Sequence, residues 1–222
     1  MNDKQRVAHF AAQQVKSGML IGLGTGSTAN CFIDALIERQ KNDGLSCHYV
    51  ASSIVTQEYA SQAGLQLVGI ETVTHLDLYV DGADEVAPDL SILKGRGSDL
   101  VREKLLAQNS REFWVLIDPS KKVNFIGEKF PIAVEVMPFA LALVKNSLST
   151  LNVQTVLRRQ GEGLHVTSHG CLVLDCRFNN LSPVSVDQQL NAVPGIVEHG
   201  IFTLPQTRVF CGETETVKEV LR

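Results

Sequence analysis

The sequence predicts an α/β protein in two parts: a mostly parallel sheet covered by helices on both faces, and a smaller α+β domain inserted into it. Three observations predict this. Up to about residue 118, short apolar runs alternate with helical stretches over short connections, the pattern of βαβ units. Beyond Gly127 the order changes to β-α-β-β-α-β, a ferredoxin-like arrangement. The tail, "RVFCG" followed by "ETVKEVLR", can then return to the first sheet. The expected boundaries are residues 1–127 plus 203–222 for the first domain and 128–202 for the second.

Each element has a local reason. Residues 3–17 carry Val7, Ala8, Ala11, Ala12 and Val15 on one helical face, with Gly18 placed to cap the end. "MLIGLG" reads as a buried strand, and the helix after it puts Phe32, Ile33, Leu36 and Ile37 on one side. "CHYVAS" is strand-like, residues 56–63 are helical, and "LQLVGI" and "LDLYV" are two further strands. Residues 100–108 form a helix before the strand "FWVLID". In the second domain the strands are "IAVEV", "VQTVLRR", "CLVLDCRF" and "GIVEHG", with helices over residues 139–148 and 184–191.

Composition narrows the function. The 222 residues are 44% hydrophobic and 20% charged, an ordinary globular balance. A net charge of −4 supplies no basic field for nucleic acid, although local basic spots can hold a small anion. No apolar run approaches the roughly 18 to 20 residues that span a bilayer. "MNDKQRVAHF" has no hydrophobic signal segment, so a soluble cytoplasmic protein without membrane partners is expected. The cysteines Cys31, Cys47, Cys171, Cys176 and Cys211 are odd in number and form no CxxC pair, which points to buried thiols. The six histidines show no metal spacing, and no Gly-x-Ser-x-Gly elbow supports a hydrolase.

Four stretches carry chemistry. "GLGTGSTAN" places a glycine-rich turn between a strand and a helix, where backbone N–H groups favour an anion. Ser27 stands where a dinucleotide fingerprint needs glycine, so the loop fits a small phosphate or hydroxylated ligand better, or else a plain turn capped by Ser27 or Thr28. "DGADE" follows a strand end, where ligands of parallel sheets gather. Without companion metal ligands, its carboxylates suit sugar hydroxyls and proton transfer, with Glu85 solvated at the rim. In "LKGRGSDLVREK", Lys94 can balance Asp81 or Asp84 or stabilise an oxyanion. Glu103 lies near Leu106 and Ala107 on the wheel, but Arg102 and Lys104 have apolar flanks too, so the wheel does not single it out. "DPSKKV" offers Lys121 and Lys122 to a phosphate or simply to solvent.

Together these motifs resemble the type A ribose-5-phosphate isomerase family. The carriers are "GTGST", "DGADE", "KGRG", "REK" and "DPSK", in matching order and spacing, with the resemblance covering essentially the whole chain. It implies a Rossmann-like sheet domain with the inserted α+β domain, and interconversion of ribose 5-phosphate and ribulose 5-phosphate without metal, nucleotide or other cofactor. The family's base falls on Glu103, with Asp81, Asp84 and Lys94 as further catalytic groups. The substrate loops fall on Thr25, Gly26, Ser27 and Thr28; on Asp81, Gly82, Ala83 and Asp84; on Lys94, Gly95, Arg96 and Gly97; and on Lys121. Homodimers or homotetramers are implied. The family's third motif usually reads Lys-Gly-Gly-Gly, so Arg96 is a departure. If its position needs a positive φ, the non-glycine residue costs about 1 kcal/mol. The competing readings are a non-catalytic sugar-phosphate sensor on the same fold and a divergent isomerase for another sugar phosphate. A nicotinamide oxidoreductase is disfavoured by the broken glycine fingerprint.

Overall fold

The computed structural model describes residues 1–97, 99–178 and 182–221. Its contacts divide the chain into two compact units. The first comprises Met1–Ala83, Arg102–Lys122 and the segment from Leu204; the second comprises Asp84–Val101 and Val123–Thr203.

The first unit is built on a six-stranded sheet. Its strands are β1 (Leu20–Leu23), β2 (His48–Ala51), β3 (Leu76–Asp81), β6 (Ser110–Ile117), β14 (Thr207–Glu213) and β15 (Thr216–Val220), in the order β15-β14-β6-β3-β1-β2. Every neighbouring pair is parallel except the β14–β15 hairpin. The tail therefore does return to the first sheet. The helices are α1 (Asp3–Gln14), α2 (Ser27–Asp43), α3 (Ile54–Gln62) and, from Arg102 onward, α4 (Leu100–Gln108).

Strand alternation sorts the core. Ile21, Leu23, Leu78 and Val80 join Val7, Ala11, Phe32, Ile33 and Leu36 of α1 and α2 in one apolar cluster. Residues of the other parity point to the opposite face, where the rings of Tyr79 and Phe113 stack at 5.2 Å. Asp81 shares that parity, which brings its carboxylate beside Tyr79.

The second unit holds a four-stranded antiparallel sheet of β7 (Ile132–Val136), β8 (Gln154–Leu157), β11 (Leu172–Arg177) and β12 (Ile196–His199), ordered β12-β7-β11-β8. With α5 (Leu141–Thr150) and α6 (Pro183–Asn191) between strands, this is the ferredoxin-like order anticipated from the sequence. Val134, Val144, Leu148, Leu174 and Leu190 are at its core. A three-stranded sheet of β4 (Glu85–Val86), β5 (Ile92–Leu93) and β13 (Ile201–Phe202) and a hairpin of β9 (Arg159–Gln160) and β10 (Gly163–Leu164) complete it.

Three local expectations change. "LQLVGI" is not a strand: it contributes one isolated bridge, Leu67 to Tyr49, then a 3₁₀ turn over Ile70–Thr72. The first helix stops at Gln14 and is closed by Val15, short of Gly18. The strand expected over "VQTVLRR" ends at Leu157, and Arg159 and Gln160 join the hairpin instead.

Candidate active site

In the first unit the chain leaves β1 toward β2 on one side, then returns for β3 on the other side of β1. The carboxyl ends of β1 and β3 therefore border a topological switch point, where open α/β sheets bind ligands. Leu23 is paired with Val80 in register, so Gly24 and Asp81 emerge side by side, and the Gly24 N–H donates to the Val80 carbonyl at 2.8 Å.

Asp81 is fully buried and closely held. The Tyr79 hydroxyl donates to Oδ2 at 2.5 Å, and the backbone N–H groups of Gly82 and Thr25 donate to Oδ1 at 2.7 and 3.3 Å. A Cβ on Gly24 would lie 2.2 Å from the Asp81 carboxyl, so this glycine is needed for the close packing of Asp81. Burial, then the charges of Asp81 and Glu103, push the Tyr79 phenol well above its ordinary range, so it remains a donor. Glu103 is itself buried on α4 and close enough for its charge to act on Tyr79. Lys104 beside it is buried as well, whereas Leu105 is exposed.

The Gly-Thr-Gly-Ser-Thr loop is braced by hydroxyls the sequence reading passed over. Thr25 Oγ1 meets Ser52, Ser53 and Thr56 side chains at 2.7–3.0 Å, and Thr56 Oγ1 donates to the Gly24 carbonyl. Ser52 and Ser53 follow the end of β2, and that strand end was the available signal. Neither Ser27 nor Thr28 caps the helix. The N-cap is Gly26, at φ 107°, and α2 begins without a side-chain capping hydrogen bond. Its first turn is thus suited to an anion.

One cation borders this turn. Lys4 of α1 donates from Nζ to Ser27 Oγ at 2.9 Å, a functional candidate that no sequence motif marked. Lys121 sits at the end of the 3₁₀ turn Pro119–Lys121 that follows β6. Asp118 feels both lysines. Burial opposes its charge, but hydrogen bonds from Ser120 and the charges of Lys121 and Lys4 hold its carboxyl below the usual range. Lys122 turns instead to Glu213, at 2.6 Å.

Ala83 closes the first segment of the first unit, and the remaining expected residues belong to the second unit. The Asp84 N–H donates to the Leu93 carbonyl, and the Arg96 N–H donates to Asp84 Oδ2 at 3.3 Å. Lys94 is buried, with its N–H on the Gly200 carbonyl. The positive φ of this loop, 108°, belongs to Gly95, where a Cβ would also crowd Ala133. Arg96 has no positive φ, so the strain considered for it does not arise. Its side chain is exposed, with the guanidinium 4.4 Å above the Phe130 ring, and Gly97 is exposed beside it. Glu85 is not a solvated spare. It is fully buried and accepts N–H groups from Gly127, Lys129 and Phe130, each at 2.7 Å. Among the described residues no cluster of three or more His, Cys, Asp or Glu side chains could hold a metal, and no helix is long and apolar enough to cross a membrane.

Residues 48–216 match the family model of ribose 5-phosphate isomerase A (phosphoriboisomerase A). The chain is 40% identical to ribose-5-phosphate isomerase A of Synechococcus sp. strain JA-3-3Ab over 99% of this chain and 96% of that one. It is 36% identical to the Thermococcus kodakarensis protein of the same name, over 99% and 97%. Among solved structures, ribose 5-phosphate isomerase A from Methanocaldococcus jannaschii superposes with a TM-score of 0.93 at 36% identity, covering 99% of this chain and 98% of that one. A D-ribose-5-phosphate isomerase in complex with phospho-erythronic acid gives 0.94 at 34% identity, with both chains fully covered.

Proposed function

The chain belongs to the ribose 5-phosphate isomerase A family, and on that premise we propose how its residues divide the work. The protein is an aldose–ketose isomerase that interconverts D-ribose 5-phosphate and D-ribulose 5-phosphate, a step of the pentose phosphate pathway. The Glu103 carboxylate takes the proton from C2 of the open-chain sugar. The C2–H electron pair becomes the C1=C2 bond of a cis-enediolate, and the former carbonyl oxygen at C1 becomes an oxyanion. Glu103 returns the proton to C1, while Asp81 opens the ring and moves the hydroxyl proton from O2 to O1. Lys94 stabilises the oxyanion, and Asp84 holds a sugar hydroxyl. The phosphate is held by the first turn of α2 at Gly26, Ser27 and Thr28, with Lys4 and Lys121. Gly82, Ala83, Gly95 and Gly97 offer small side chains and backbone donors along the sugar.

One observation carries this reading: two buried carboxylates, Asp81 and Glu103, act on the same buried tyrosine hydroxyl next to the switch point of a parallel sheet. A base that serves two adjacent carbons benefits from such a site away from bulk water. Purified protein should convert ribose 5-phosphate in the presence of EDTA. Glu103→Gln should abolish turnover and retain binding of ribose 5-phosphate; unchanged turnover would remove Glu103 as the base.

We also infer a homodimer or homotetramer in the cytoplasm. The exposed apolar side chains Phe139, Leu143 and Val156 of the second unit support self-association, and five unpaired cysteines suit a reducing compartment. Light scattering across a dilution series tests the assembly, and a concentration-independent monomer would reject it.

A further inference from the structure

The second unit contains a cavity of about 850 Å³ that none of the sugar-loop residues lines. Its inner wall is apolar: Ile132, Val186 and Ile201 are each almost fully buried. Arg177 stands on its rim, exposed, and its side chain has no hydrogen-bond or ion-pair partner among the described residues. Asp89, also on the rim, already accepts the Ser91 N–H. An apolar recess of this size with a few polar groups at its mouth has the character of a small-molecule site. Among the described lining residues one cation and one carboxylate face the mouth, which favours a monoanion over a phosphate dianion. The apolar wall favours a flat or branched hydrocarbon body.

The cavity also shares a wall with the sugar loop. Phe130 lines it and carries the Arg96 guanidinium on its ring. The Phe130 N–H donates to Glu85, whose chain neighbour Asp84 accepts the Arg96 N–H. Asp84, Glu85, Phe130 and Arg96 thus form a closed circuit of contacts within this unit.

We propose that this cavity is a second, regulatory site for an apolar monoanion, and that its occupancy is felt at Asp84 through Phe130 and Arg96. The coupling rests on the assignment of Asp84 to the sugar; the binding does not.

Anilinonaphthalene sulfonate, an aromatic monoanion, is a suitable probe for the intact protein. It should bind saturably at one site per chain and remain bound under saturating ribose 5-phosphate. It should raise the KM for the sugar roughly two- to fivefold, the scale of an exposed cation–π contact. By linkage, ribose 5-phosphate should weaken probe binding by the same factor. Arg177→Glu should weaken the probe at least about fivefold, with kcat and KM unaltered in its absence. Val186→Trp should fill the cavity and remove binding. Arg96→Gly should keep the probe and lose the reciprocal effect. No saturable binding, complete displacement by the sugar, or affinity indifferent to Arg177→Glu would overturn the site. Binding without any change in KM would overturn the coupling. Because binding is read by fluorescence, a protein that binds the probe but turns over no sugar would refute the proposed catalysis and leave the cavity assignment standing.

Discussion

Alanine at Gly24 should disable the enzyme while leaving it folded. The new Cβ would stand 2.2 Å from Asp81 Cγ and Oδ1, where ordinary contact begins at 3.4 Å, so something must move by about 1.2 Å. The β1 side resists, because the Gly24 N–H is bonded to the Val80 carbonyl at 2.8 Å. The Asp81 carboxylate resists as well, gripped by Tyr79 at 2.5 Å and Gly82 at 2.7 Å. Displacing a reacting group by about 1 Å costs on the order of 100-fold in rate. Overpacking of this kind costs roughly 1–3 kcal/mol of stability. At about 2–4 °C per kcal/mol for a chain of this size, the melting midpoint should fall by roughly 2–12 °C. Initial rates of ribulose 5-phosphate formation at saturating substrate, measured beside a melting curve, separate the two effects. A folded Gly24→Ala protein with kcat within about threefold of the parent would refute the argument that this glycine exists to seat Asp81.

Lys4→Ala should raise the KM for ribose 5-phosphate about tenfold and change kcat little, the loss of one charge-assisted contact to the phosphate; a KM that stays put would take Lys4 out of the site. Glu85→Gln should lower the melting midpoint by roughly 4–10 °C, because the amide NH₂ that replaces one carboxylate oxygen cannot accept the N–H groups that oxygen now takes, and amide exchange in the Gly127–Phe130 turn should accelerate. Burial raises the Glu135 pKa despite the Thr167 hydroxyl and nearby His169. A carboxyl raised on folding stabilises the protein below its unfolded pKa, and that contribution is lost as pH rises through the folded value. Glu135→Gln should therefore gain in melting midpoint relative to the parent as pH is raised from acid toward neutrality, and parallel pH profiles would contradict this.

Most of the architecture was legible because the period of the apolar residues is a local property. "LDLYV", "FWVLID" and "IAVEV" announce buried strands, and the break in pattern after Gly127 announces the second topology. "LQLVGI" misled because apolar residues can cover a core edge without a strand to pair with; only Leu67 finds a partner, at Tyr49. The two-residue strands β4, β5 and β13 are too short to leave any period. In the site, Asp81 and the Gly-Thr-Gly-Ser-Thr loop were visible as strand-end motifs. Lys4 was not, since a lysine in the first turn of a helix looks solvated until Ser27 is found beside it. The glycines were visible but half misread. Gly24 leaves room for a carboxylate of the protein, a relation between residues 57 positions apart that spacing cannot reveal.

The crowding of Asp81, Asp84 and Glu85 finds its explanation in where each carboxylate turns. Asp81 takes N–H groups from its own turn and from Thr25; Asp84 takes the Arg96 N–H; Glu85 takes three from residues 127–130. Strand parity and the chain reversal into β4 send the three in different directions, so five consecutive residues serve three separate sets of donors. Apart from the Tyr79 hydroxyl on Asp81, those donors are backbone groups. They do not titrate, and no side-chain substitution removes them unless the backbone itself moves. The substitutions that disturb this motif most should therefore be those that shift backbone, such as at Gly24 or Gly95, together with those that replace an acceptor. A charge reversal at the half-buried Lys4 or Lys121 should matter less to the fold than to the phosphate.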